Sequence, residues 1–189
     1  MRENKVGKTT ISNYLADATD MQSEYRPTKG VRILEFEVSG VKVKNVTSKV
    51  DVELWDCSGD RKYENCWAAM RKDAIGVIFV NGRHADEHHL RDLERMYDYF
   101  VAKPKIEPKS CVVFHYDLEK VRNSETTKNF LPSIFGRISQ VACNVDEGGA
   151  KLKTDFLAFL STLTTRRQEK TEQEERNIMR DTGGIFPLK

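Results

Sequence analysis

The sequence predicts an α/β domain built on a mostly parallel sheet. Two observations carry this. After one pair of alternating strands, short apolar runs bounded by glycine or polar turns take turns with segments of helical period. Near the C-terminus, "AKLKTDFLAFLSTL" places Leu152, Phe156, Phe159, Leu160 and Leu163 on one stripe of a closing helix. Such sheets bind ligands at the carboxyl ends of their strands.

The elements follow in order. Lys8 to about Thr19 reads as a helix with Ile11, Tyr14, Leu15 and Ala18 on one face. "MQSEYRPTKG" contains Pro27 and Gly30 and is a loop. "VRILEFEV" and "VDVELWD" alternate in the manner of strands, and the turn between them is expected at Ser39-Gly40, giving an antiparallel hairpin. Arg61 to Lys72 is a helix candidate. "AIGVIFVNG" has the continuous apolar character of a strand covered on both faces. Leu90, Leu93, Tyr97, Phe100 and Val101 recur at helical spacing between charges. "SCVVFHYD" is another buried strand, a helix is expected near Lys128 to Phe135, and "RISQVACN" is the last strand.

One domain with a tail suits a chain of 189 residues, 39% of them hydrophobic and 32% charged. A net charge of +2 points neither to nucleic acid nor to acidic lipid as a main partner. The four cysteines show no paired short spacing of the zinc-site kind and read as reduced thiols. No apolar run is long enough to span a membrane. "GGIFPLK" carries no cysteine for prenylation, so no direct lipid anchor is expected. Residues 1–164 are read as the domain, and residues 165–189, almost wholly polar, as a solvated helical extension or a disordered tail.

Three short motifs carry chemistry. Gly7-Lys8-Thr9-Thr10 is the ending of a phosphate-binding loop, G-x-x-x-x-G-K-[ST]. In that setting Gly7 lets the backbone approach phosphate, amides at the helix start face the anion, Lys8 neutralises the outer phosphates, and the Thr9 hydroxyl enters a Mg²⁺ shell. Taken alone the triplet is also consistent with a helix that merely begins Gly-Lys-Thr. "LWDCSGD" ends a strand at Asp56, where a carboxylate holds Mg²⁺ through water, with Gly59 beside it to offer an N–H to a terminal phosphate. Between them, Thr28 in "RPTKGV" lies in a loop from which it reaches Mg²⁺ and the terminal phosphate. The order and separations of the three support one nucleotide site.

At these residues the sequence resembles the Ras-like small GTPases. Gly7-Lys8-Thr9-Thr10 matches the first motif, Thr28 with Gly30 matches switch I, and Asp56-Cys57-Ser58-Gly59 matches the D-x-x-G of switch II. "YRPTKGVRILEFE", "ELWDCSGDRKYENCW" and "KDAIGVIFV" are similar to the Rab-like small GTPases of the intraflagellar transport B complex, over about Lys5 to Leu163. The resemblance implies a six-stranded Ras-like P-loop GTPase fold with helices on both faces, GTP or GDP with Mg²⁺ as cofactors, and coiled-coil subunits of that complex as partners. It implies a place in the cytoplasm, the cilium or flagellum and its basal body.

The departures matter as well. The glutamine that orients water after the D-x-x-G glycine is replaced by Asp60, expected to stand near the terminal phosphate, repel it and leave hydrolysis slow or absent. Of the guanine-reading N-K-x-D motif only Asp117 survives, a base reader or an ordinary strand-end turn. Val141-Ala142-Cys143 takes the place of the last motif, where the Ala142 amide would meet the base. The first glycine of the phosphate loop would fall at Arg2, with only Met1 before it, so the central first strand is expected to be missing from this chain. A late start site and a defective loop stabilised by partners both account for that. Trp67 is read either as an exposed docking anchor or as a core residue. A P-loop kinase is disfavoured by the Thr28 and Asp56 register. A pseudo-GTPase serving only as an interaction module is the main rival.

Overall fold

The computed structural model describes residues 7–18, 27–82, 87–116 and 131–182. Helix α1 (Lys8–Leu15) leads into a hairpin of β1 (Val31–Val43) and β2 (Val46–Cys57). A 3₁₀ turn (Arg61–Cys66) runs into the short α2 (Trp67–Arg71), followed by β3 (Val77–Asn81), α3 (Glu87–Tyr97), β4 (Cys111–Tyr116), β5 (Ser139–Cys143) and α4 (Val145–Thr182). Helix α1 stops earlier than expected: Asp17 turns into the left-handed region (φ 49°), and Ala18 falls outside the helix. Of the helix expected near Lys128 to Phe135, the described part is a 3₁₀ turn, Ser133–Arg137.

The strands β3, β4 and β5 form a parallel sheet in that order. Its alternating side chains build two cores. Val80, Val112 and Phe114 pack with Ile11 and Leu15 of α1 and with Leu152, Phe156 and Leu160 of α4. Phe79, Cys111 and Val113 pack on the other face with Leu93, Val101 and Phe135. Helices therefore cover both faces, and β4 is buried from Cys111 through His115.

The hairpin is longer than the sequence suggested. The chain reverses at Lys44-Asn45, with Lys44 at φ 54°, and not at Ser39-Gly40. Gly40 (φ 85°) instead sits where the register shifts between Val38 and Val41. Its freedom at positive φ absorbs an extra residue as a bulge and the strand continues. Leu34, Phe36 and Val38 are half-buried, while Ile33, Glu35 and Glu37 face solvent.

The described strands form two sheets, β1–β2 and β3–β4–β5, where a single six-stranded sheet was expected. Residues of β2 from Val50 and of β3 from Val77 line one cavity of about 760 Å³, closed by Ile11, Leu15, Met70 and Leu160. Trp67 is a core residue, 5% exposed, with its ring 5.2 Å from those of Tyr99 and Phe100. Helix α4 is broken at Gly148 (φ −133°, ψ 22°) and then runs on past the apolar stripe that ends at Leu163. Ser161 Oγ accepts from the Lys42 amide at 3.0 Å, and Lys44 Nζ pairs with Glu172 at 2.7 Å, tying the extension to the hairpin tip. Among the described residues, no helix is long and apolar enough to cross a membrane.

Candidate functional site

The hairpin delivers Asp56 at the end of β2, one residue before the strand stops at Cys57. There it meets α1 and the loop before β1. The Thr9 hydroxyl donates to Asp56 Oδ2 at 2.8 Å, the Thr28 hydroxyl lies 3.3 Å from the same oxygen, and the two hydroxyl oxygens stand 2.9 Å apart. The amide of Ser58 donates to the Gly30 carbonyl at 2.8 Å, fastening the Thr28 loop to the segment after Asp56. Lys8 reaches the same place: a Cβ on Gly59 would lie 3.1 Å from Lys8 Nζ. Lys8, Thr9, Thr28, Asp56 and Gly59, drawn from three separated segments, thus converge.

Asp56 is 3% exposed, and Thr9, Thr28 and the Arg32 guanidinium all approach Oδ2. The other oxygen, Oδ1, is buried and has no hydrogen-bond partner among the described residues. An unpaired buried acceptor carries a penalty of about 1–3 kcal/mol, more when charged. A hydrated cation relieves it. The two threonine oxygens also fit the cation's own geometry: adjacent ligands of an octahedral Mg²⁺ at about 2.1 Å lie about 3.0 Å apart. These residues fit a small hard cation held directly by Thr9 and Thr28 and through water by Asp56. Burial lowers the pKa of Lys8, and the Asp56 carboxylate opposes that shift. Burial, then Asp56, pushes the Cys57 thiol up to about 11, so it stays protonated and is no nucleophile.

Gly7 caps α1 with φ 83°, and no acidic residue occupies the first turn of the helix. The amides at this end are therefore free to receive an anion with no carboxylate from the helix's own first turn. Thr10 is exposed on the same turn. Gly7 itself lies under the ring of Tyr116, the last residue of β4.

Asp60 follows Gly59 and begins the next turn. It is the N-cap of the 3₁₀ turn, accepting from the Lys62 amide at 3.0 Å and pairing with Lys62 Nζ at 2.8 Å. The hydrogen bond from the Lys62 side chain holds its pKa down. Its carboxylate is thus committed to the local helix. Ala142 lies exposed in β5, paired with His115 and one strand beyond Tyr116. Asp117 lies outside the described residues.

Sequence reasoning missed Arg32, Asn13 and Tyr116. Arg32 stands directly across the hairpin from Asp56, with Nη2 3.6 Å from Oδ2, and the same nitrogen donates to Asn13 Oδ1 of α1. The signal for Arg32 was the hairpin register. A turn at Ser39-Gly40 sets Arg32 opposite Thr47, and only the true turn together with the bulge at Gly40 sets it opposite Asp56.

Residues 3–117 match the Roc family, described as Ras of Complex, Roc, domain of DAPkinase. The Homo sapiens intraflagellar transport protein 22 homolog is 32% identical over 173 residues, covering 92% of each chain. The Caenorhabditis elegans intraflagellar transport associated protein 2 is 30% identical, over 88% of this chain and 78% of its own. The GTP-bound crystal structure of T. brucei IFT22/74/81 superposes with a TM-score of 0.67 at 22% identity, covering 89% of this chain and 93% of that one. The GDP-bound T. brucei IFT22 structure gives 0.62 at 20% identity, over 87% and 92%. The chain belongs to the family of intraflagellar transport protein 22 homologues, within the Ras-like GTPases.

Proposed function

We propose that this chain is a Rab-like small GTP-binding protein that acts as a subunit of the intraflagellar transport B complex in cilium or flagellum assembly. The observation that carries the reading is the meeting of Thr9 and Thr28 on Asp56, with Lys8 against Gly59. Gly7, Lys8, Thr9 and Thr10 serve the phosphates of GTP or GDP, together with Thr28 and the Gly59 amide. Thr9, Thr28 and Asp56 hold Mg²⁺, which neutralises phosphate charge when bound. Asp117 reads the guanine edge, and the Ala142 amide meets the base. Residues 1–164 are the nucleotide-binding unit and residues 165–189 its polar extension.

Hydrolysis without help is slow or absent, because Asp60 is engaged by Lys62 and offers nothing to an attacking water. Partners are coiled-coil subunits of the transport complex, in keeping with the assembly seen for the T. brucei relative. The protein works in the cytoplasm, at the basal body and in the cilium.

The test is nucleotide retention. The full-length protein, purified and exchanged into buffer with Mg²⁺, should release guanine nucleotide on denaturation and bind a fluorescent GTP analogue. Lys8→Ala and Thr9→Asn should lose both while remaining folded by circular dichroism. A folded wild type that binds no nucleotide in either assay would overturn the reading in favour of a purely structural interaction module.

A further inference from the structure

A buried carboxylate needs a counter-charge, and Asp56 has one built into the fold. Its side chain is fully enclosed, whereas that of Arg32 is 38% exposed. The guanidinium is fixed between two elements: Nη2 lies 3.6 Å from Asp56 Oδ2 on one side and donates to Asn13 Oδ1 on the other. Arginine at this place cannot shed its proton, in contrast to Lys8, whose pKa burial lowers. Two atoms mark the same spot, Asp56 Oδ1 and Arg32 Nε, both buried without a hydrogen-bond partner among the described residues. They show a site whose polar groups are partly satisfied by the chain and partly kept for something else.

We infer that Arg32 is a resident counter-ion of Asp56, which lowers the affinity of the Thr9–Thr28–Asp56 site for divalent cations and lets the site keep its shape without one. The physical reason is direct. A divalent ion on this carboxylate meets a fixed positive charge a few ångströms away, in surroundings poorer in water than the surface. The same charge relieves the repulsion and desolvation that an unoccupied carboxylate would otherwise suffer. The divalent-ion reading of the cluster rests on the proposed function, but the counter-ion role is measurable on the nucleotide-free protein.

The experiment compares thermal midpoints of the full chain, free of nucleotide, in EDTA and across a titration of MgCl₂. The wild type should melt at the same temperature in both. Arg32→Gln should melt lower in EDTA and recover with MgCl₂ at concentrations that leave the wild type unmoved. Adding Asp56→Asn to Arg32→Gln should abolish the Mg²⁺ response, and Arg32→Lys, which keeps the charge, should behave as the wild type does. A residue that only braces the hairpin onto Asn13 would lower the midpoint equally in EDTA and MgCl₂, and that result overturns the inference. If Arg32→Gln does not fold, Asn13→Ala takes its place: unhooking the guanidinium should raise the Mg²⁺ response, and an unchanged response overturns the inference equally. Absence of nucleotide binding would sink the proposed function and leave this Mg²⁺ readout standing.

Discussion

The ring of Tyr116 lies so close to the Cα of Gly7 that a Cβ there would sit 2.3 Å from Tyr116 Cδ1. The start of α1 is thus clamped against the end of β4 by a contact that only glycine permits. Gly7 also has φ 83°, where a side chain is strained. Gly7→Ala should therefore cost about 1–2 kcal/mol from backbone strain and about 1–3 kcal/mol from overpacking. The two parts separate in a double-mutant cycle followed by urea unfolding. Tyr116→Ala should recover the packing share and leave the strain, and simple additivity would show that the ring does not press on Gly7.

The Asp60 carboxylate is directed at Lys62, and this makes a prediction opposite to that from simple repulsion. If the carboxylate stood at the phosphate, Asp60→Ala would speed single-turnover hydrolysis. Because it caps the turn at Lys62, Asp60→Ala should leave turnover at or below about 10⁻⁴ s⁻¹. A clear acceleration in that variant would refute the geometry. The pH response has a fixed sign. The Lys62 hydrogen bond holds the folded pKa below the ordinary 3.8, so the stabilisation is present above that value and lost as pH falls through the folded one.

How much of this was legible in the sequence depended on the range of the interactions. The alternation of apolar runs and helical stripes gave the order of elements, because period is a local property. Lys8, Thr28 and Asp56 were found because each sits beside a residue type that marks its loop or strand end. Arg32 was invisible for a non-local reason. Its partner depends on where the hairpin turns, and Gly40 looked like the turn while serving as a bulge. Tyr116 was invisible for the same reason: the alternation of β4 turns His115 inward and sets Tyr116 over Gly7, a contact between segments far apart in sequence. Trp67 illustrates the same limit: nothing local distinguishes a docking anchor from a ring packed against Tyr99 and Phe100.

The cavity between β2 and β3 has a measurable consequence. Residues in β3 alternate in the side to which their amides point, one set toward β4 and the other toward the cavity. Hydrogen exchange across Val77–Asn81 should alternate accordingly, with slow amides bonded to β4 and fast ones facing the cavity. Uniform protection along β3 would mean that a further extended segment pairs with this edge in solution.

A polar ladder joins Asn81 and His115, near the carboxyl ends of β3 and β4, to Gln140 near the start of β5, and gives the molecule an acid-sensitive point. His115, 3% exposed, lies between Asn81 Nδ2 at 3.2 Å from Nδ1 and Gln140 Oε1 at 3.1 Å from Nε2. In the neutral ring Nε2–H donates to Gln140 and Nδ1 accepts from Asn81, so protonation would set two donors face to face. Burial lowers the pKa of His115 below its ordinary 6.5, and the Gln140 hydrogen bond opposes that shift. The unfolded chain takes up a proton near 6.5 and the folded chain only at lower pH. Stability is therefore full above the unfolded value, falls as pH drops through it, and levels off below the folded value. Urea unfolding from neutral to mildly acidic pH should show this slope in the wild type, with at most one proton taken up per molecule at this residue. His115→Gln should flatten it by that amount while keeping a polar group in the ladder. An equal slope in both proteins would mean that His115 titrates freely in the folded state, and the ladder would then not be the acid-sensitive element.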